Sequence, residues 1–226
     1  MAEKQTKSSG VLAPVESFVM GLAPSIPVAQ VKVWLSAFFH PMETYEANKK
    51  ESNAGAVVVH LALIGVLYWL VASVAAVLGL NFAGIFVLLP MIIIFPIIMV
   101  IGGFVSSILL FVLAKIFGGK GGYMEQTFAL ALIFGGATAI AAPFNALAGL
   151  PLVGGLMSLV GSLISLYSIY NEYLVIKGIH QLSSMKAAAV ILIPIIIAVI
   201  IAVVAAVIIA AILAAAGLGS ALSAGY

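Results

Sequence analysis

The fold class is decided by residues 186–217, KAAAVILIPIIIAVIIAVVAAVIIAAILAAAG. After the opening lysine this stretch carries no charge. A helix needs only about 20 apolar residues to cross the hydrocarbon core of a bilayer. The stretch exceeds that length, so it predicts a transmembrane helix.

Four further stretches of the same character precede it. They run from Asn53 to Leu80, from Ile85 to Phe117, from Glu125 to Ala148 and from Leu152 to Lys177. Each is long enough to span the membrane with few or no charges. Turn-forming residues separate the five stretches, at Asn81 to Gly84, Gly118 to Gly122, Gly149 to Pro151 and Gly178 to Ser184. Short turns force neighbouring helices antiparallel, so residues 53–217 are predicted to form an all-α, polytopic bundle of five spans.

Composition agrees with lipid as the main solvent. Of the 226 residues, 65% are hydrophobic and only 7% are charged, against roughly a quarter in ordinary globular domains. The formal net charge of +2 is too small to predict nucleic-acid binding, and membrane lipids are the expected electrostatic partner. The chain has no cysteine, which excludes disulfides and thiolate metal sites, and no cofactor is predicted.

The lysines predict the orientation of the bundle. With five crossings, all nine lysines fall on one side of the membrane, while the first and third turns and the tail at residues 218–226 carry no charge. The positive-inside rule then places the N-terminus in the cytoplasm and the C-terminus outside.

The second stretch is too long for one straight crossing. At 1.5 Å per residue it would extend about 50 Å, against a hydrocarbon core of about 30 Å. Pro90 and Pro96 are the expected places for a bend, because proline lacks the backbone donor of a helix interior. Two interpretations stay open, a tilted helix with a proline bend and a broken segment that lines a cavity.

The region before the first span divides in two. Residues 1–27 are predicted to be a partly mobile cytoplasmic segment, and residues 28–52 an amphipathic interfacial helix with its linker. The apolar residues that recur at helical spacing are Val31, Trp34, Leu35, Phe38 and Phe39. Trp34, Phe38 and Phe39 are the expected membrane anchors, and Lys49 and Lys50 are the expected contacts to lipid headgroups.

Small residues recur every three to four positions in the fourth span. We call Gly154, Ser158, Ser162 and Ser165 the small-residue stripe. Small residues let membrane helices approach closely, so the stripe predicts either packing within the bundle or an interface between oligomer subunits.

Ionisable residues inside spans are few. His60 lies in the first span and Glu172 in the fourth. Because such groups are costly in lipid, they are candidates for a functional site or a polar path. The alternative for Glu172 is an interfacial anchor paired with Lys177 or Lys186.

Templates for catalysis are missing. There is no aspartate, no HExxH and no GxSxG, and Gly118–Gly122 does not fit a phosphate loop. The chain is therefore not predicted to be an enzyme.

Several short motifs carry a family resemblance over residues 30–215. They are Gly118-Gly119-Lys120-Gly121, Pro143 with Pro151, Pro41 followed by Tyr45, and LYSIYNEYLVIKGIHQLSSMKAAAV at residues 166–190. In these the chain resembles the Yip1 domain, a family of five-span membrane proteins. One departure is Ala139-Ile140-Ala141-Ala142, where the family commonly has an aromatic residue.

The resemblance implies five spans, a cytoplasmic N-terminus and an outward C-terminus. Eukaryotic relatives act in vesicle trafficking, bind Rab-type small GTPases and assemble with related membrane proteins, but Rab binding is not carried over to this chain. The leading hypothesis is a scaffold that docks other membrane proteins or itself while its interfacial helix shapes the membrane. Its expected docking residues are Lys120, Glu125, Glu172, His180 and Lys186. The alternatives are a small-solute channel or transporter, with His60 or Glu172 and the Pro90/Pro96 region lining its path, and an accessory subunit of a larger complex.

Overall fold

The computed structural model describes residues 28–79, 82–148, 150 and 152–215, and within these ranges it is helical without any strand. Two short helices, α1 (Val28–Phe39) and α2 (Pro41–Asn48), precede a 3₁₀ turn at Lys49–Glu51. Five long helices follow, α3 (Ala54–Leu78), α4 (Phe82–Ile116), α5 (Tyr123–Leu147), α6 (Gly154–His180) and α7 (Ser184–Ala215).

All five long helices are long and apolar enough to cross a membrane. Their bounds differ by only a few residues from the stretches predicted from the sequence, so the all-α fold with five spans is confirmed. The predicted N-terminal segment 1–27, the tail 218–226 and the turn residues Asn81, Gly149 and Pro151 lie outside the described residues.

Helix α4 is one continuous helix of 35 residues, with Pro90 and Pro96 inside it. Of the two interpretations for this stretch, the structure agrees with a single helix and not with a broken segment. Gly65 of α3 lies directly against Pro96, and a Cβ at Gly65 would be only 2.5 Å from the Pro96 Cα. The missing side chain of Gly65 therefore lets the two backbones meet at the proline.

Helix α5 is the centre of the bundle. It packs against α1, α3, α4 and α6, and it is the most buried of the five long helices. Its side chains form the main core together with residues of α3 and α1, among them Phe128, Leu132, Leu61 and Trp34. The most deeply enclosed span is thus the third in sequence.

Helix α1 is placed differently from the sequence prediction. It packs against the middle of α5, where Gly135 and Gly136 lie under Trp34, so a Cβ at either glycine would collide with the tryptophan. Two of its polar side chains make internal hydrogen bonds, Gln30 to His60 and Ser36 to Thr44. These two polar side chains are therefore bonded inside the protein, and α1 is docked on the bundle.

The described connections that carry lysines gather at one end of the bundle. The backbone N–H of Lys120 donates to the His180 carbonyl, and Lys186 Nζ donates to the Phe117 carbonyl. The α4–α5 turn reverses at Gly118, whose φ of +86° suits glycine. We call this the lysine-bearing end.

Helix α7 contacts the bundle mainly near its start. Ala187, Val190 and Ile191 are buried against α4 and α6, whereas the side chains from Ile195 to Leu213 are exposed or nearly so. The last span is therefore held by its first turns.

Candidate functional site

A groove of about 930 Å³ lies between α4 and α6. These two helices barely touch each other directly, so the groove is open between them, and α3 and α5 form its floor. It follows α6 from Ser158 to Glu172, a distance of about 21 Å at about 1.5 Å per residue. The groove thus extends along more than half of α6.

Small residues form both walls of the groove. The α4 wall includes Gly102 and Ser106, and the α6 wall includes Ser158, Ser162 and Ser165. A Cβ added to Gly102 would meet no atom of the described residues within 4 Å, so no contact among them requires glycine there. Three residues of the small-residue stripe therefore face an open groove, and only Gly154 is buried.

Three serine hydroxyls of the walls are already committed as donors. Ser106 Oγ donates to the Gly103 carbonyl at 3.1 Å, Ser162 Oγ to the Ser158 carbonyl at 2.9 Å and Ser165 Oγ to the Gly161 carbonyl at 3.0 Å. A hydroxyl has one hydrogen and two lone pairs. Each of these serines therefore offers only acceptor capacity to anything in the groove.

Glu172 lines the end of the groove that is nearer the lysine-bearing end. Within the described residues no hydrogen bond or ion pair to its carboxyl group is found, and the expected pairing with Lys177 or Lys186 is wrong. Lys177 Nζ instead lies 5.9 Å from the centre of the Tyr173 ring, and Lys186 bonds to a backbone carbonyl. Among the residues that the structure describes, the intramembrane carboxyl group has no counter-ion.

His60 does not line the groove. It is buried between α1 and α5, where its Nδ1 accepts a hydrogen bond from Trp34 Nε1 at 2.9 Å and its ring packs edge-on against Phe128. An Nδ1 that accepts a hydrogen bond carries no proton, so this His60 is the neutral Nε2–H tautomer. Of the residues expected along a polar path, only Glu172 reaches the groove.

The expected membrane anchors have different surroundings. Trp34 is 0% exposed and Phe38 4% exposed, so both contact protein where contact with lipid was expected, because α1 is docked on α5. Phe39 is half-buried. Lys49 and Lys50 are exposed, and a hydrogen bond from Lys49 to Glu46 raises the pKa of Lys49.

Four of the expected docking residues meet at the lysine-bearing end, with different surroundings. Lys120 and Lys186 are exposed. Glu125 is also exposed, and its carboxylate accepts the Gly122 N–H at 2.7 Å, which caps α5. His180 is fully buried, with its Nε2 2.8 Å from Gln126 Oε1. His180 is therefore a structural link between α6 and α5, whereas the side chains of Lys120, Lys186 and Glu125 are exposed.

Some groove residues were missed by sequence reasoning. Thr138 was not recognised as a site residue, since it is not ionisable and α5 shows no polar period. A buried network of Ser107, Thr127, Gln126 and His180 was also missed. A Gln inside an apolar span is the one signal that could have indicated this network.

Comparison with known proteins agrees with this architecture. No curated protein and no solved structure matches the chain. The model of the Yip1 domain matches residues 35–207, which includes the end of α1, all of α2 to α6 and most of α7. This chain, an integral multi-pass membrane protein, therefore belongs to the Yip1 domain family.

Proposed function

We propose that this chain is a non-enzymatic membrane scaffold, and that the groove between α4 and α6 docks a transmembrane helix of another membrane protein. The observation that carries the proposal is Gly102, a glycine that no contact in the described part of the chain requires, opposite a wall of serines. Membrane helices associate where small residues allow close backbone approach. The Yip1 family is generally non-enzymatic, which agrees with this role.

The dimensions of the groove support a helix as its occupant. A volume of about 930 Å³ over about 21 Å gives a mean cross-section of about 44 Å², roughly half that of a helix about 10 Å across. A groove that is open on one side would take one face of a helix and leave the other in lipid. The scaffold would then present a partner without enclosing it.

The lysine-bearing end would face the cytoplasm under the positive-inside rule. Lys120, Lys186 and Glu125 are exposed there and could contact a peripheral partner. Membrane shaping by α1 is not part of this proposal, because its two main apolar anchors are buried in the bundle.

A small-solute path remains the second candidate, with Glu172 as the observation in its favour. Against it, His60 is bonded to Trp34, and α4 runs unbroken through Pro90 and Pro96. Flux through reconstituted vesicles that Glu172→Gln abolishes would favour transport over docking.

Photocrosslinking in native membranes tests the scaffold. A photoreactive residue at Ser162 in the groove should give protein adducts of discrete mass, and one at the exposed Leu159 should give few. Gly102→Leu should remove the Ser162 adducts by filling the groove. Gly155→Leu is the matched control, because Gly155 also has no neighbour within 4 Å yet does not line the groove. Equal adducts from both positions, unaffected by Gly102→Leu, would refute docking in the groove.

A further inference from the structure

The groove carries one carboxyl group, and three of its serine hydroxyls offer only lone pairs; the carboxyl group restricts its occupant most. Ser106, Ser162 and Ser165 each use their hydrogen within their own helix, so they present lone pairs. Glu172 adds a carboxyl group with no partner among the described residues. A purely aliphatic occupant would leave that group unpaired in a lipid environment, which is unfavourable.

We infer that the helix docked in this groove carries a basic side chain, lysine or arginine, at the depth of Glu172. This rests on the proposed docking function and names the chemistry of the partner. Ionisable residues within membrane segments typically pair with one another, and a partner that brings a cation would satisfy the carboxylate. Small residues along both walls would let the partner helix approach closely enough for that pair to form.

A second copy of this chain does not supply such a residue from its described spans. Their lysines lie only in terminal turns, with Lys115 in the last turn of α4, Lys177 in the last turn of α6 and Lys186 in the first turn of α7. Glu172 is five residues before Lys177, about 7.5 Å deeper along the helix. Charge complementarity therefore favours a different membrane protein as the partner.

Synthetic single-span peptides test the inference with the full-length chain in phosphatidylcholine vesicles. One peptide is a Leu-Ala helix with a single lysine about two turns from its end, and the matched peptide has leucine at that position. Binding is measured by energy transfer to a fluorophore on Lys120→Cys, which is specific because the natural chain has no cysteine. The lysine peptide is expected to bind at least about fivefold more tightly than the leucine peptide.

Two substitutions connect that preference to the groove. Glu172→Gln should abolish the difference between the peptides, whereas Glu51→Gln, at an exposed carboxylate outside the long helices, should keep it. Gly102→Leu should weaken the binding of both peptides, and Gly155→Leu should leave the binding of both unchanged. Circular dichroism and elution volume of each variant establish that it is folded.

The outcomes separate this inference from the function on which it rests. Equal binding of both peptides, still sensitive to Gly102→Leu, would overturn the basic partner and keep docking. If both peptides bind and Gly102→Leu changes neither affinity, the basic partner and docking in the groove are both overturned. Loss of the lysine preference when phosphatidylethanolamine replaces phosphatidylcholine would make a lipid amine the occupant and would overturn the inference.

Discussion

The indole N–H of Trp34 donates to Nδ1 of His60 across 2.9 Å, and both side chains are buried. This bond joins α1 to α3, while the ring of Trp34 covers Gly135 and Gly136 of α5. A helix before the first span is thereby fixed to two of the spans. The first two predictions follow from this arrangement.

Trp34 should be shielded from lipid. The chain has two tryptophans, so Trp69→Phe leaves Trp34 as the sole indole, and Trp34→Phe leaves the half-buried Trp69. In vesicles that contain brominated lipid, fluorescence of the Trp69→Phe protein should be quenched much less than that of the Trp34→Phe protein. Stronger quenching of Trp34 would mean that α1 lies in the lipid interface, as the sequence alone predicted.

Gly136→Ala should weaken the packing of α1 on α5. The new Cβ would overlap the backbone of Trp34, and overpacking of this kind typically costs about 1–3 kcal/mol. The melting temperature in detergent should fall, and protease should cut near α1 more readily. Gly155→Ala, where the space is open, should change stability by less than about 1 kcal/mol. The same melting temperature for both variants would contradict the close contact.

The stability of the protein should decrease above pH 10 in part through Tyr45. Burial, with the carboxylates of Glu125 and Glu46, raises the pKa of Tyr45 from 10.0 to about 12. Since the folded-state value is the higher one, the stabilisation is complete below pH 10 and is lost as the pH rises towards 12.

Melting temperatures of the natural chain and Tyr45→Phe between pH 8 and pH 11 measure this effect. The natural chain should lose more stability than the variant above pH 10. Parallel curves would show that Tyr45 ionises as easily in the folded protein as in the unfolded chain.

The lysine-bearing end should be accessible from one compartment only. Single cysteines at Lys120 and Lys186 should react with a membrane-impermeant maleimide from the same side, which the positive-inside rule identifies as cytoplasmic. A cysteine in the tail at residues 218–226 should react from the other side. Labelling of Lys120→Cys and Lys186→Cys from opposite sides would rule out this five-span arrangement.

The fold was largely predictable because lipid imposes a simple length requirement on apolar helices. The bounds of α3 to α7 could be predicted within a few residues, since glycine and lysine mark most of the turns. The position of α1 could not be predicted from the sequence. Its apolar residues fit a membrane interface and a protein core equally well, and the sequence does not indicate that Gly135 and Gly136 would accept Trp34.

The groove was only partly predictable for a related reason. Glu172 and the small-residue stripe are visible in the sequence, but whether small residues face a neighbouring helix or an open space depends on how α4 and α6 are spaced. That spacing follows from the packing of both helices on α3 and α5. No local pattern encodes it.

The weak attachment of α7 affects how its sequence can vary. Beyond Ile195 its side chains have almost no neighbours among the described residues, so internal packing there hardly restricts their shape and volume. Exchange among isoleucine, valine, leucine and alanine should be close to neutral, and substitutions can accumulate freely provided that they stay aliphatic.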